Sequence, residues 1–413
     1  MNEIIKEKID HCIKCGSEAT SVVKNYMPGM FILNKILCLD CNSEIYVTIS
    51  TSHYIDNTVI FDNNLKILHA SKQQNWRVNW LLNAYRNRVS IKIKASREIF
   101  SKVVNPVVLN CIDKLYGHCL LKLINAQYHL DCISKSSLIV IVPKFLRWMV
   151  PEGPSEIWTY DIKLKEGQVW NDWIAEDIVE KLKSHKNISI SKAYSHPHPN
   201  TIDITRFTRV NPFQFDSLKE IINPVVTFIW REDRFWCDTG SVGLFNNIKF
   251  NILKKFNVLD DLKIQHFLVS KLFEAIKNII PTVKFKIIGQ GNSYDFSNDI
   301  EDMRVIDIST QLEKDWCENY AKSHVVIGIH GSNMLLPSAH SRSTIVLNPS
   351  DRFGNIFQDN LSCEPDPRMY AFRNRCIPCS TSVSEIAAMV KNMIFDFKKT
   401  KINFIDNTNL LSI

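Results

Sequence analysis

No segment of the 413 residues is apolar for long enough to span a bilayer. The longest apolar stretch, SSLIVIVPKFLRWMV, is broken by Pro143 and Lys144, and the opening MNEIIKEKIDHCIKC lacks the apolar centre of an export signal. These absences predict a cytoplasmic chain whose membrane contact, if any, is peripheral and on the inner face. No GK[ST] triplet follows a glycine turn and no GxGxxG occurs, which excludes a Walker loop and the dinucleotide fingerprint. Charge of one sign does not dominate either. The formal net charge of +7 suits phosphate-bearing ligands or an anionic surface, but it is not the footprint of a dedicated nucleic-acid binder, so no nucleic-acid partner is expected. With 45% apolar and 23% charged residues, the chain has the composition of an ordered globular protein of more than one domain.

Twelve cysteines are present, and without an export signal paired cysteines suggest metal before disulfide. Cys12-Ile13-Lys14-Cys15 and Cys38-Leu39-Asp40-Cys41 are two CxxC knuckles, the spacing that gives four thiolates tetrahedral geometry around structural zinc. Such a closed set leaves no open coordination position for catalysis. Cys376-Ile377-Pro378-Cys379, with Cys363 upstream, is a further pair without a thioredoxin-like context.

Pattern divides the chain. Residues 1–70 read as a zinc-ribbon-like module with short strands in hairpins, since SEIYVTISTSHYIDNTVIFDNNLKILHA alternates polar and apolar residues between Asn and Asp breaks. Residues 71–134 read as mostly helical, with Arg86, Arg88, Lys92, Lys94 and Arg97 crowded into a basic run that suits a solvated face or a membrane surface. Residues 135–222 read as a first α/β domain. SLIVIVP and EIWTYDI are strands, NDWIAEDIVEKLKSH is an amphipathic helix, and NISISKAYSHPHP is a strand entering a loop that carries His196 and His198. Asp203, Arg206 and Arg209 follow in an aromatic-rich connection.

Residues 223–400 read as a second α/β domain, with a short tail over 401–413. The strand VVTFIW ends on Arg231, Glu232, Asp233 and Arg234. Arginine forks match phosphate oxygens, and the carboxylates are able to orient them or take a proton. KFKIIGQG ends on Gly289-Gln290-Gly291, and MRVIDIS is a further strand. HVVIGIHGSN then places His330, Gly331, Ser332 and Asn333 between a strand and a helix starting near Met334, whose N–H groups and dipole would face an anion. SVSEIAAMVKNMIFDF is a final amphipathic helix suited to crossing back onto the first α/β domain.

The run LEKDWCENYAKSHVVIGIHGSNMLLPSAHSRSTIVLNPS resembles the signature of family 61 glycosyltransferases. There a helix precedes a strand ending in IGxHGAGLxN, followed by a proline-containing helix and a strand closing on proline. Ser332-Asn333-Met334 stands where that pattern has Ala-Gly-Leu. The resemblance extends in layout over roughly 135–400. It implies an α/β fold of two Rossmann-like domains in a GT-B arrangement, here preceded by the zinc-ribbon-like and helical region. It also implies an inverting transfer, without a catalytic metal, from a nucleotide sugar to a glycan or lipid-linked acceptor in polysaccharide biosynthesis. The donor diphosphate would meet His330, Gly331, Ser332 and Asn333, with Arg231, Arg234, Gly289 and Gly291 beside it. Asp233, Glu232, His196, His198 and Asp203 are the candidate bases. A different class of function also fits the front end: a zinc-ribbon binding protein, for nucleic acid or a protein partner, with a non-catalytic α/β body.

Overall fold

The computed structural model describes residues 11–55, 58–70, 75–132, 136–195, 197, 202–214, 221–237 and 260–396. The chain forms two compact units, Met1–Pro197 and His198–Ile413.

The first unit opens with an antiparallel sheet in sequence order: β1 (Thr20–Tyr26), β2 (Leu33–Cys38), β3 (Glu44–Thr48), β4 (Val59–Asp62) and β5 (Ile67–Ala70). Its Cys12, Ile36, Cys38, Ile45, Val47 and Ile60 make a small core of their own. On its other side Tyr46, Phe61, Tyr85 and Trp170 interlock edge-to-face, joining the sheet to the helix Asn75–Arg86.

A second sheet follows, made of β6 (Ala95–Ile99), β7 (Val107–Asn110), β8 (Leu138–Pro143), β9 (Glu156–Tyr160) and β10 (Ser189–Ile190), in the order β10-β7-β8-β9-β6. All neighbours are parallel except β6, which runs antiparallel to β9. β8 is buried at every position, as a parallel strand covered on both faces must be. The helices Tyr116–Cys132 and Asp172–Leu182 accompany it.

The reading of 71–134 as mostly helical is corrected here, because β6 and β7 lie inside it. β6 hides its strand character by being an edge: Arg97 makes a two-pronged pair with Glu156 at 2.7 and 2.8 Å, and Glu98 pairs likewise with Arg147 at 2.7 Å. Charges of this kind belong on a sheet edge and interrupt apolar alternation. β7 is four residues long, too short to choose between helix and strand by period.

The second unit is one parallel sheet: β11 (Val225–Trp230), β12 (Lys284–Gln290), β13 (Ile300–Val305), β14 (Val325–Ile329), β15 (Thr344–Asn348) and β16 (Asn374–Pro378). The spatial order is β13-β12-β11-β14-β15-β16. Counted within the unit, that is 3-2-1-4-5-6, the doubly wound order whose direction reverses between the first and fourth strands. The helices Asp261–Ile279 and Thr310–Tyr320 join its strands, and Val383–Phe395 follows the last of them. That final helix buries Ile386, Val390, Met393 and Ile394 in the same core as Leu268, Leu272 and Ile276. This helix thus contributes to the core of its own unit. The segment 202–214 also belongs to the second unit, ahead of the expected boundary at 222. Phe213 N donates to His340 O at 2.7 Å, and the Thr208 hydroxyl meets His340 Nε2 at 2.8 Å.

Candidate functional site

β11 and β14 are neighbours, and both end at the point where the sheet's winding reverses. Parallel strands feeding outward-diverging crossovers leave a crevice there. The chain places Arg231 to Arg234 after β11 and His330 to Asn333 after β14, so two segments about a hundred residues apart in sequence converge.

The Arg231 guanidinium spans the crevice. Its Nε and Nη2 donate to the two oxygens of Asp233 at 2.6 Å each, and Nη1 donates to His330 O at 3.3 Å and Asn333 Oδ1 at 3.1 Å. Arg234 Nη1 also donates to His330 O and stands 3.5 Å from His330 Nδ1. Nε and Nη2 of Arg234 have no partner among the described residues, which leaves a fork suited to an anion. Burial, and then the charges of Arg231 and Arg352, lower the Arg234 pKa, but a guanidinium stays charged through any ordinary pH.

Gly331 is required by this arrangement. Its φ of +149° is one that side chains rarely adopt, and a Cβ would stand 2.4 Å from Arg231 Nη1. Asn333 contributes a second unfilled donor, since its Nδ2 is buried with no hydrogen-bond partner. Ser332 is half-buried in the one-turn helix Ser332–Met334, which leads into Leu335–His340. That helix is only six residues long, so the expected helix-dipole contribution is corrected: positive charge at the crevice comes from arginine.

The carboxylates here hold other groups in place. Arg231 leads the causes that keep the Asp233 carboxyl below its usual range. Burial alone would raise Glu232. Hydrogen bonds from Trp230 Nε1 at 3.1 Å and from Ser293 N and Oγ at 3.0 and 3.1 Å outweigh it and hold the group low. A general base working near neutrality needs the opposite shift. Gly291 admits Glu232, whose Cδ lies 2.3 Å from where a Cβ would be, and the backbone of Trp230 fills the corresponding space beside Gly289. Both glycines thus have packing reasons.

Several contributors had no sequence motif. Gln265, fully buried on the helix Asp261–Ile279, accepts from Trp236 N and donates to Arg231 O, both at 2.9 Å, and so fixes the arginine turn. His330 Nε2 meets Asn355 O at 3.0 Å and Asp359 at 3.5 Å. Arg304 stacks over Trp230 and Phe296 and is clamped by Asp302. A cavity of about 330 Å³, lined by His266, Phe273, Phe285 and Phe296 among others, lies away from the crevice. Of its lining charges Lys277 pairs with Asp299 and Glu274 with Lys271, and neither of the two expected segments, Arg231 to Arg234 and His330 to Asn333, reaches it.

The remaining expected residues lie elsewhere. His196 and His198 are outside the described residues. Asp203 Oδ1 accepts from Thr205 N at 3.0 Å and Thr205 Oγ1 at 2.5 Å, at the start of the short helix Thr205–Thr208.

The four N-terminal thiols converge. Cys12 and Cys41 sulfurs are 3.8 Å apart, Cys15 and Cys38 sulfurs 3.6 Å, and all four lie within 4.8 Å of one another. Sulfurs about 2.3 Å from zinc at tetrahedral corners stand about 3.8 Å apart, so the set fits a metal ion, and no pair is a disulfide. Cys41 Sγ also lies 3.2 Å from the Ser43 hydroxyl. Cys376 and Cys379 belong to β16 and its following turn, and no metal-holding group among the described residues includes them.

No protein-family model matches the chain, and no curated protein matches it in sequence. Among solved structures it is weakly similar to the iron-containing dodecameric glycosyltransferase TibC from enterotoxigenic E. coli H10407, with a TM-score of 0.29 and 9% identity over 79% of this chain and 76% of that one. TibC as a heptosyltransferase in complex with ADP-D-β-D-heptose gives 0.26 and 8% over 78% and 76%. TarM gives 0.26 and 10% over 92% and 76%. The weak structural neighbours thus include glycosyltransferases, and similarity of this size leaves the argument with the chain's own geometry.

Proposed function

We propose that the protein is an inverting glycosyltransferase that takes a nucleotide sugar at the crevice between β11 and β14 and passes the sugar to a glycan or lipid-linked acceptor. The observation that carries this reading is the pair of unfilled donors there: the Arg234 fork and the buried Asn333 amide, on a turn that only glycine at 331 permits. As the bond between sugar and diphosphate breaks, negative charge grows on the leaving oxygen. A fixed guanidinium and a buried amide N–H stabilise that charge without a metal ion. Arg231, braced by Asp233 and Gln265, holds the loop to which those donors belong. The resemblance to family 61 glycosyltransferases, specific over about residues 320–350, supports the same reading, and the mostly parallel sheet of the first unit and the parallel sheet of the second suit two Rossmann-like domains. The Cys12, Cys15, Cys38 and Cys41 set is assigned to structural zinc, which would tie the ends of β1 and β2 together without touching the reaction.

Incubation with a panel of sugar nucleotides and oligosaccharide acceptors, read by product mass and anomeric configuration, tests the proposal. The expected result is an acceptor heavier by one sugar, with the donor's anomeric configuration inverted. Binding of nucleotides without any product would leave the alternative of a non-catalytic body, and no response to any nucleotide would sink the enzyme reading.

A further inference from the structure

A second cluster lies in the first unit. Asp113 follows β7, at the carboxyl end of a central parallel strand, where open α/β sheets receive ligands. Its position is fixed by the backbone: Asn110 is buried, donates to Gly29 O at 2.9 Å, and accepts from Ile112 N at 2.9 Å. The Asp113 carboxylate is fully enclosed. Lys122 Nζ lies 2.8 Å from Oδ2, and the Lys114 amide donates to Oδ1 at 2.8 Å. His53 Nε2 stands 3.2 Å from Oδ2, and His118 Nδ1 stands 3.3 Å from Oδ1.

A carboxylate flanked by a buried ammonium stays ionised and only accepts, so His53 must donate from Nε2. That fixes its tautomer and turns the lone pair onto Nδ1. Among the described residues, hydrogen bonding of His53 is confined to Nε2. The ring is 10% exposed, and burial, as the leading cause, keeps its pKa below the ordinary histidine value, so it is neutral at pH 7. The preceding Ser52 has φ of +51° and a buried hydroxyl without a partner, a strained turn that presents the imidazole. Beside it, Trp80 meets His53 edge-on at 6.1 Å and carries the Lys114 ammonium over its ring, 3.2 Å from the centroid, while Trp76, half exposed, meets Trp80 edge-on at 5.0 Å. The groups facing His53 are then one carboxylate, the ammonium of Lys122, the His118 ring at 4.7 Å and an indole.

We propose that His53, oriented by Asp113, is the proton-accepting side chain of a second ligand site that takes a hydroxyl-bearing ring, a saccharide, against the exposed Trp76 indole. The hydroxyl donates to Nδ1, and the apolar face of the sugar ring covers Trp76 surface otherwise open to water. A divalent cation held by His53, His118 and Asp113 fits less well. Lys122 already neutralises the carboxylate and would repel the ion, and the two oxygens are already filled by N–H donors.

The test uses the full-length protein and needs no sugar nucleotide, so its failure is distinct from failure of the glycosyltransferase reading. Diethyl pyrocarbonate acylates neutral imidazole, and mass spectrometry reads each histidine separately. His53 is expected to react at pH 6–7. The methyl glycosides of glucose, galactose and mannose are used as probes, with glycerol as a hydroxyl ligand lacking a ring face. At least one glycoside should slow the reaction at His53 severalfold, and glycerol should slow it less. Asp113→Asn should reduce the reactivity of His53. Trp76→Ala, at an exposed position that folding tolerates, should keep the reactivity and lose the glycoside protection. Three outcomes would each overturn the site: an unreactive His53, protection by none of the glycosides, or protection by added Zn²⁺ in their place.

Discussion

Gly331 has no room for a side chain, because Arg231 Nη1 occupies the space and the backbone sits at positive φ. Gly331→Val should therefore cost on the order of 2–3 kcal/mol in urea unfolding and also abolish any response to nucleotides. Gln265 is the less obvious test, since it touches no ligand in this account. Gln265→Leu leaves Trp236 N and Arg231 O unpaired in a buried place and should destabilise by about 1–3 kcal/mol, with nucleotide affinity falling as Arg231 loosens. His340 reports on pH. Burial brings its pKa down to about 4, with Nδ1 on Leu336 O and Nε2 on Thr208. The unfolded chain binds the proton more readily, so this contribution is complete above about pH 6.5 and is lost as pH falls toward 4. Urea titrations across that window should show declining stability, and His340→Gln should flatten part of the slope.

Elements show which parts of the sequence were informative. β8, β9, β11, β14 and β15 were legible as apolar runs because strands buried on both faces need no polar alternation. β6 was not, because its stability comes from edge ion pairs that its own sequence shows only as charge. The helix Asp261–Ile279 announced itself by its apolar stripe, and its start is set by Asp260, whose carboxylate accepts from Lys263 N at 2.7 Å. Asp260→Ala should cost about 1 kcal/mol, measured as a shift in the urea midpoint at unchanged slope. The antiparallel sheet β1–β5 depends on its thiols in the same way, because the core around Ile36, Ile45 and Val47 is small and includes Cys12 and Cys38 themselves. Removing metal with a chelator, or replacing Cys15 by Ser, should lower the melting temperature, with zinc content falling in parallel.

At the scale of the whole molecule, the crevice was readable in part. The two segments that form it were singled out by chemistry alone, arginines at one strand end and a glycine turn at another, and strand order then explains why they meet. What was hidden is whatever depends on long-range packing: Gln265 behind Arg231, Asn355 and Asp359 around His330, and the enclosure of Asp113 by His53 and Lys122. No local spacing announces such partners, because they come from different crossovers of a sheet. The central claim is that the crevice binds a nucleoside diphosphate through Arg234 and Asn333, on a turn held by Arg231. Its most direct test is the melting temperature of wild-type protein and Arg231→Ala with UDP, GDP, CDP and ADP. A nucleotide at a hundredfold excess over its Kd should stabilise the wild type by about 2.7 kcal/mol, a rise of several degrees, and the variant should lose most of that rise. An unchanged melting temperature with all four, or an equal rise in Arg231→Ala, would contradict the account.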